Sequence, residues 1–288
     1  MQSIIYAAVI LGIIALIAAV ILHFVSKAFQ VIEDPRIDDV ASILPGANCG
    51  GCGFAGCRNL AEAIVKAGTL EGFGCPAGGS SVNEGIAQVL GLNAVMMNPI
   101  IAVVRCNGSL ENAPSQSSYD GAPSCAFASS LYAGESMCSC GCLGYGDCMK
   151  VCNFDALSID PNTKLPVVDN EKCVACGACA KACPRLLIEM RFKGKKDRRI
   201  FVACRNIDKG AAAKKNCQVA CIGCGKCLKV CEFDAITIAN NLAYIDHTKC
   251  KLCRKCVSEC PANAICECNF PPKKDKIELA QETQFVNN

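Results

Sequence analysis

The chain has 288 residues, with 29 Lys and Arg against 26 Asp and Glu, and 27 cysteines beside two histidines. That length holds two or three small domains. An odd cysteine count in tight spacings excludes the disulfide scaffold of a short secreted domain, two histidines exclude a His-based acid–base centre, and the nominal charge of +3 makes local patches matter more than the total.

Residues 4–22 form 19 uncharged positions, and at about 1.5 Å per residue they reach the hydrocarbon thickness of a bilayer. The segment is predicted to be a transmembrane anchor rather than a cleaved signal, since no basic n-region precedes it and no A-x-A site follows. Lys27 comes directly after it, so the positive-inside tendency puts the remainder on the cytoplasmic side. Pro35 argues against one helix running on through residues 30–39. A compact module then begins at LPGANCGGCGFAGC, with Cys49, Cys52 and Cys57, and is completed by Cys75 before Pro76. Its glycines let the backbone curl where a Cβ would obstruct. Residues 58–66 read as an amphipathic helix, residues 80–92 as a second helix and residues 100–106 as a buried strand. The Gly, Pro, Ser and Asn of residues 107–124 mark a linker.

The remainder is organised by a repeat. CVACGACAKAC, CIGCGKCLKVC and CKLCRKCVSEC are three copies of C-x2-C-x2-C-x3-C. In that run three closely spaced thiolates take three irons of a 4Fe-4S cube and the fourth cysteine reaches a neighbouring cube. An irregular fourth copy, Cys138, Cys142, Cys148 and Cys152, is stretched to C-x3-C-x5-C-x3-C, with Cys140 as an extra. The crossing rule pairs Cys138, Cys142 and Cys148 with Cys183, and Cys173, Cys176 and Cys179 with Cys152. It likewise pairs Cys221, Cys224 and Cys227 with Cys260, and Cys250, Cys253 and Cys256 with Cys231. After Cys152 and again after Cys231 come a short apolar strand, a turn signal and a second strand, so the unit is duplicated. Cys49, Cys52, Cys57 and Cys75 make a fifth site, and five cubes of charge about −2 each would carry the whole to roughly −7. Cys106, Cys125, Cys204 and Cys217 flank the two units and would suffice for a sixth, although nothing in their spacing forces them together. Cys140, Cys266 and Cys268 are left without a role.

Basic residues crowd residues 191–199, expected to be the tip of a hairpin between IEMRF and IFVAC. Others are Lys249, Lys251, Arg254 and Lys255 beside the last cysteine run, with Lys273, Lys274 and Lys276 after it. A basic rim near clusters would steer an acidic redox carrier. No aromatic interleaving supports nucleic-acid binding, and no P-loop or dinucleotide fingerprint supports a directly bound nucleotide.

The anchor, the LPGANCGGCGFAGC…CP module, the stretch from Tyr119 to Cys125, the irregular CGCLGYGDC loop and the tandem cysteine runs together resemble the B subunit of the Rnf complex. The likeness is to the longer variety with two ferredoxin units. It implies a single N-terminal transmembrane helix, a small α/β 4Fe-4S module and two tandem bacterial ferredoxin-like α+β units, each with two clusters. The expected boundaries are 1–28, 29–95, a strand and linker at 96–135, ferredoxin units at 136–203 and 204–270, and a polar tail at 271–288. The resemblance further implies an electron-transfer subunit of an ion-translocating ferredoxin:NAD oxidoreductase in the cell membrane. Reduced ferredoxin is then the donor, the other Rnf membrane subunits are the acceptors, and flavins and the NAD site belong to other subunits of the complex. The ligands it implies are Cys49, Cys52, Cys57 and Cys75 with the sixteen ferredoxin-type cysteines above.

Overall fold

A computed structural model describes residues 2–28, 33–94, 96, 98–131 and 134–272. Helix α1 (Gln2–Ala28) is 27 residues long, and its stretch Val9–Lys27 combines a mean hydropathy of 2.8 with no burial against the rest of the chain. Leu11, Leu16, Leu22 and Phe24 all stand about two-thirds exposed. A helix apolar on every side, with no protein packed on it, suits lipid. The helix covers residues 4–22 in full and runs on to Ala28.

Pro35 caps α2 (Arg36–Ile43), and α3 (Cys57–Ala67) and α4 (Gly79–Leu90) pack against it. Val40, Leu60, Ile64, Leu70 and Ile86 form the centre of this module, each at most 2% exposed. Helices α3 and α4 both end on a left-handed glycine, Gly68 and Gly91, whose missing Cβ makes that C-terminal conformation cheap. The expected α/β character is not seen: residues 33–94, where described, contain helices and loops without a strand. Glycine-rich loops and short amphipathic runs offer no alternating segment from which a strand could form.

Four two-stranded antiparallel sheets follow. Strand β1 (Ile100–Val104) pairs with β4 (Ile188–Phe192), enclosing the hairpin of β2 (Leu157–Ile159) and β3 (Pro166–Val168) in sequence. The pattern recurs when β5 (Arg199–Val202) pairs with β8 (Ile265–Cys268) around β6 (Ile236–Ala239) and β7 (Leu242–Ile245). Residues 191–199 are therefore not a hairpin tip. IEMRF pairs with β1 and IFVA with β8, so the segment links one repeat to the next. The opening strand of the first repeat, expected in a separate linker, pairs instead with its closing strand.

Alternation along the strands explains the join. Ala102 faces Cys148, Leu157, Cys179 and Ile188, the core of the first repeat. Ile101 and Val103 face the other way and pack on Phe201 and Ala203. Ile200 and Val202 turn into the core of the second repeat. The two outer sheets thus lie back to back, and both strands are apolar on both faces.

Arg191 is 1% exposed at this join. Its Nη2 donates to the Ile245 carbonyl at 2.8 Å, its Nε lies 3.3 Å from Glu189 Oε1, and its guanidinium sits over Tyr244. Glu189 also accepts from the Tyr244 hydroxyl and faces Arg105. Arg191→Ala is expected to cost about 3 kcal/mol, as removal of one member of a buried pair does. Anaerobic thermal unfolding should show it as a lower transition, and an unchanged transition would mean that the join carries no stability.

Candidate metal centres

In the N-terminal module the cysteine loop is set by backbone chemistry. Asn48 is held at φ 46°, and its side-chain oxygen accepts the Cys57 N–H at 2.8 Å, fixing the first turn of α3. Gly53, at φ 86°, donates to the Gly50 carbonyl and closes the loop. Cys75 is buried, which pushes its thiol upward, and the Cys57 and Cys49 thiols nearby act in the same direction. Cys52 packs on the same core. The four cysteines expected at this site thus belong to one module.

Elsewhere in the described residues, four small hollows are each ringed by four thiols. Cys152, Cys173, Cys176 and Cys179 line one. Cys221, Cys224, Cys227 and Cys260 line another, and Cys231, Cys250, Cys253 and Cys256 a third. These three match the crossing pattern expected from the sequence.

The fourth ring departs from expectation. Cys142, Cys148 and Cys183 line it as expected, but its fourth thiol is Cys125 and not Cys138. Cys125 starts α5 (Cys125–Leu131), and that start is held by Asp147 at the first position of α6 (Asp147–Lys150). Asp147 Oδ2 accepts from Ser124 Oγ at 2.8 Å and from the Ala126 N–H at 3.0 Å. Cys148, the next residue, is in the same ring. Cys138 lies elsewhere: burial pushes its thiol up to about 11, reinforced by the thiols of Cys106, Cys217 and Cys204 beside it. Of the cysteines without an expected role, Cys140 packs on the core of the second repeat, while Cys266 and Cys268 are on β8.

Asp147→Ala removes both bonds that hold Cys125. About four irons per chain, one cube's worth, are expected to reach a chelator faster than the remainder, and much less so in Asp147→Asn, which keeps an accepting oxygen. Uniform iron release in both variants would show that Asp147 does not position Cys125.

These residues suit iron-sulfur clusters on two grounds. Burial pushes the thiols of Cys179 and Cys256 up to about 12 and those of Cys148 and Cys227 to about 11, with neighbouring ring thiols adding to the effect. Thiols so placed are protonated near neutrality until a metal displaces the proton. Backbone N–H groups also point at the sulfurs: Ala156 at Cys152, Leu187 at Cys183 and Ala264 at Cys260, each four residues on and at 3.3 to 3.4 Å. Donors aimed at sulfur are a principal control on cluster potential.

The basic residues are placed differently from the exposed rim expected. Arg191 and Arg199 are buried, and Arg199 donates to the Asn170 side chain. Arg254 is bidentate to Glu267 and lies over Phe270, and Lys255 pairs with Glu232. Lys226, Lys229, Lys249 and Lys251 are exposed and form no ion pair among the described residues. Cys224 and Cys253 in the same repeat are exposed cysteines. Lys273, Lys274 and Lys276 lie outside the described residues.

Three family profiles match: an Fe-S cluster module over residues 44–76, a 4Fe-4S binding domain over 166–189 and a 4Fe-4S dicluster domain over 220–264. The chain is 43% identical to the B subunit of the Na(+)-translocating ferredoxin:NAD(+) oxidoreductase complex of Acetobacterium woodii, over 96% of this chain and 79% of that protein. It is 40% identical to the B subunit of the ion-translocating oxidoreductase complex of Methanosarcina acetivorans, over 85% and 91% of the two chains. It is 39% identical to the B subunit of the proton-translocating ferredoxin:NAD(+) oxidoreductase complex of Clostridium ljungdahlii, over 92% and 93%. With thiol-ringed cavities, 4Fe-4S domains and near full-length relatives of a single kind, the chain belongs to the B-subunit family of Rnf-type ion-translocating oxidoreductase complexes and is an iron-sulfur electron-transfer protein.

Proposed function

We propose that the chain is a membrane-anchored relay that takes electrons from reduced ferredoxin and delivers them to the other subunits of an ion-translocating ferredoxin:NAD oxidoreductase. The observation that carries this reading is the set of four hollows, each ringed by four thiols, beside a fifth cysteine set nearer the anchor. A bound 4Fe-4S cube stores and releases one electron reversibly. The cysteines hold and space the cubes, and the backbone N–H groups on sulfur set their potentials. Helix α1 crosses the membrane once, with all cysteine rings on the cytoplasmic side.

Each nested four-strand repeat is a ferredoxin-like unit with two cubes. The ligands are Cys49, Cys52, Cys57 and Cys75; Cys125, Cys142, Cys148 and Cys183; Cys152, Cys173, Cys176 and Cys179; Cys221, Cys224, Cys227 and Cys260; and Cys231, Cys250, Cys253 and Cys256. Electrons arrive at the second unit, whose Cys224 and Cys253 reach the surface among free lysines. They leave through the N-terminal module, tethered closest to the membrane. Anaerobic analysis of the full chain should find about 20 iron and 20 sulfide or more, four of each per cube. A count near 8 would sink the assignment.

Docking of an acidic ferredoxin should follow the lysines left unpaired. Reversing Lys226, Lys229, Lys249 and Lys251 to glutamate is expected to slow reduction by ferredoxin at low salt by roughly ten-fold or more, the scale of electrostatic steering. Added salt should shrink the gap, since screening acts within about 8 Å at 0.15 M. Arg254→Gln should change the rate little, because Glu267 already neutralises that charge. Normal ferredoxin kinetics in the quadruple variant would place docking elsewhere.

A further inference from the structure

We propose that Cys106, Cys138, Cys204 and Cys217 hold a sixth 4Fe-4S cube, placed between the two ferredoxin-like units so that the relay is continuous. The proposal rests on the electron-relay reading above and adds a site to it. The four residues come from four places in the chain: the end of β1, the irregular cysteine loop, the end of β5 and the end of α7 (Gly210–Asn216). Only the fold unites them. A Cβ on Gly108 would stand 3.4 Å from Cys217 Sγ and 3.7 Å from Cys106 Sγ, so both sulfurs crowd one face of a glycine. The Cys138 thiol is close enough to those of Cys106, Cys217 and Cys204 to be influenced by all three.

Buried cysteines are commonly just small hydrophobes. Two features argue against that here. First, all four are free thiols, and Cys138, Cys204 and Cys217 are at most 8% exposed; packing alone gives no reason for four separate segments to bring the same side chain to one spot. Second, polar donors point at three of the sulfurs. Asn206 is 1% exposed; its Nδ2 points at Cys138 Sγ at 3.7 Å and its backbone N–H at Cys204 Sγ at 3.4 Å. Its side-chain oxygen is occupied by the Asp208 N–H, leaving sulfur as the partner of its amide nitrogen. The Cys142 N–H points at Cys106 Sγ, also at 3.4 Å. A buried amide turned onto a thiol is a weak arrangement, whereas a thiolate of a cluster is a strong acceptor. The same N–H to sulfur geometry marks the other rings.

Position supplies the function. Cys142, whose N–H meets Cys106, is a ligand of the first unit, and Cys204 lies beside Cys221 of the second. Elsewhere the units meet through apolar faces of β1 and β5 and the polar contacts of Arg191, Glu189 and Arg105, with no further cysteine cluster described between them. A cube held here would pass single electrons from the second unit to the first, reduced ferredoxin being the source, with no covalent bond made or broken.

The test is Cys106→Ala/Cys217→Ala in the full chain. Iron is expected to fall from about 24 to about 20 per chain, with one cluster signal lost from the low-temperature EPR spectrum of the reduced protein. After mixing with reduced ferredoxin, the second unit should bleach at the normal rate and the first should stall. Asn206→Leu guards against misfolding: it should keep all the iron and lower the potential of one cube, because an N–H donor on sulfur favours the more negative state. A starting count near 20, or no iron lost in the double variant, overturns the sixth site while leaving the relay standing; a starting count near 8 overturns the relay itself. Unshifted potentials in Asn206→Leu would likewise count against the site.

Discussion

Removal of residues 1–28 is expected to release a water-soluble protein that keeps its iron and is still reduced by ferredoxin, yet passes no electrons to the membrane subunits. None of the apolar stretch of α1 is buried against the rest of the chain, and the next core begins with Ile37 and Val40. Deletion therefore takes away no buried contact among the described residues of that stretch and opens no cavity there. What it removes is the length of apolar helix that matches a bilayer, about 30 Å of hydrocarbon. The loss in onward transfer should be near complete, because an untethered relay must find its acceptor by diffusion at cellular concentration. Fractionation after a high-salt wash, iron per chain and stopped-flow bleaching give the three readouts. Persistence of the truncated chain in washed membranes would mean that protein contacts hold it there.

Thiols gathered by local spacing were legible in the sequence, and a thiol delivered by tertiary approach was not. In each x2 run the chain itself folds three thiols around one cavity, and the fourth cysteine crosses over because the repeat has internal symmetry. Cys125 has no such rule: it arrives 17 positions before Cys142, through α5 and its bonds to Asp147. The stretched x3 and x5 spacing around Cys142 was the visible sign that the irregular loop does not bring its own cysteines to one ring as the regular runs do. It could not say which cysteine completed the ring or where Cys138 would turn.

Strand pairing failed to show for a related reason. IEMRF and IFVAC are separated by a short basic link, as hairpin strands would be, and IFVAC is apolar on two faces while IEMRF alternates apolar with charged residues. One face packs in its own repeat and the other on the neighbouring repeat. An uninterrupted apolar run cannot name its partner. The same alternation buries Arg191, which a charge count assigns to the surface. Family likeness was carried by the glycine-rich loop and the irregular loop, whose close turns leave little freedom of residue choice.

Gly51→Val is expected to slow electron passage from the first ferredoxin-like unit to the N-terminal module several-fold while leaving every iron in place. A Cβ at position 51 would stand 2.8 Å from the Cα of Cys176, 3.2 Å from its carbonyl oxygen and 3.3 Å from its Cβ. The ligand loop of one centre is thus packed directly on the ligand loop of the next, and only glycine allows that approach. Backbone cannot yield as a flexible side chain can, so the larger residue must push the loops apart. Electron tunnelling falls steeply with separation, and reduction of the Cys152, Cys173, Cys176 and Cys179 ring by ferredoxin should be untouched. Ala55→Val, an exposed position in the same loop, is the control and should transfer normally. Cys52→Ala takes the effect to its limit: about four irons should be lost, the cubes of both units should still fill, and delivery to the membrane should stop. Normal onward rates in Gly51→Val, with its iron intact, would mean that electrons leave by another face than the one where Gly51 meets Cys176.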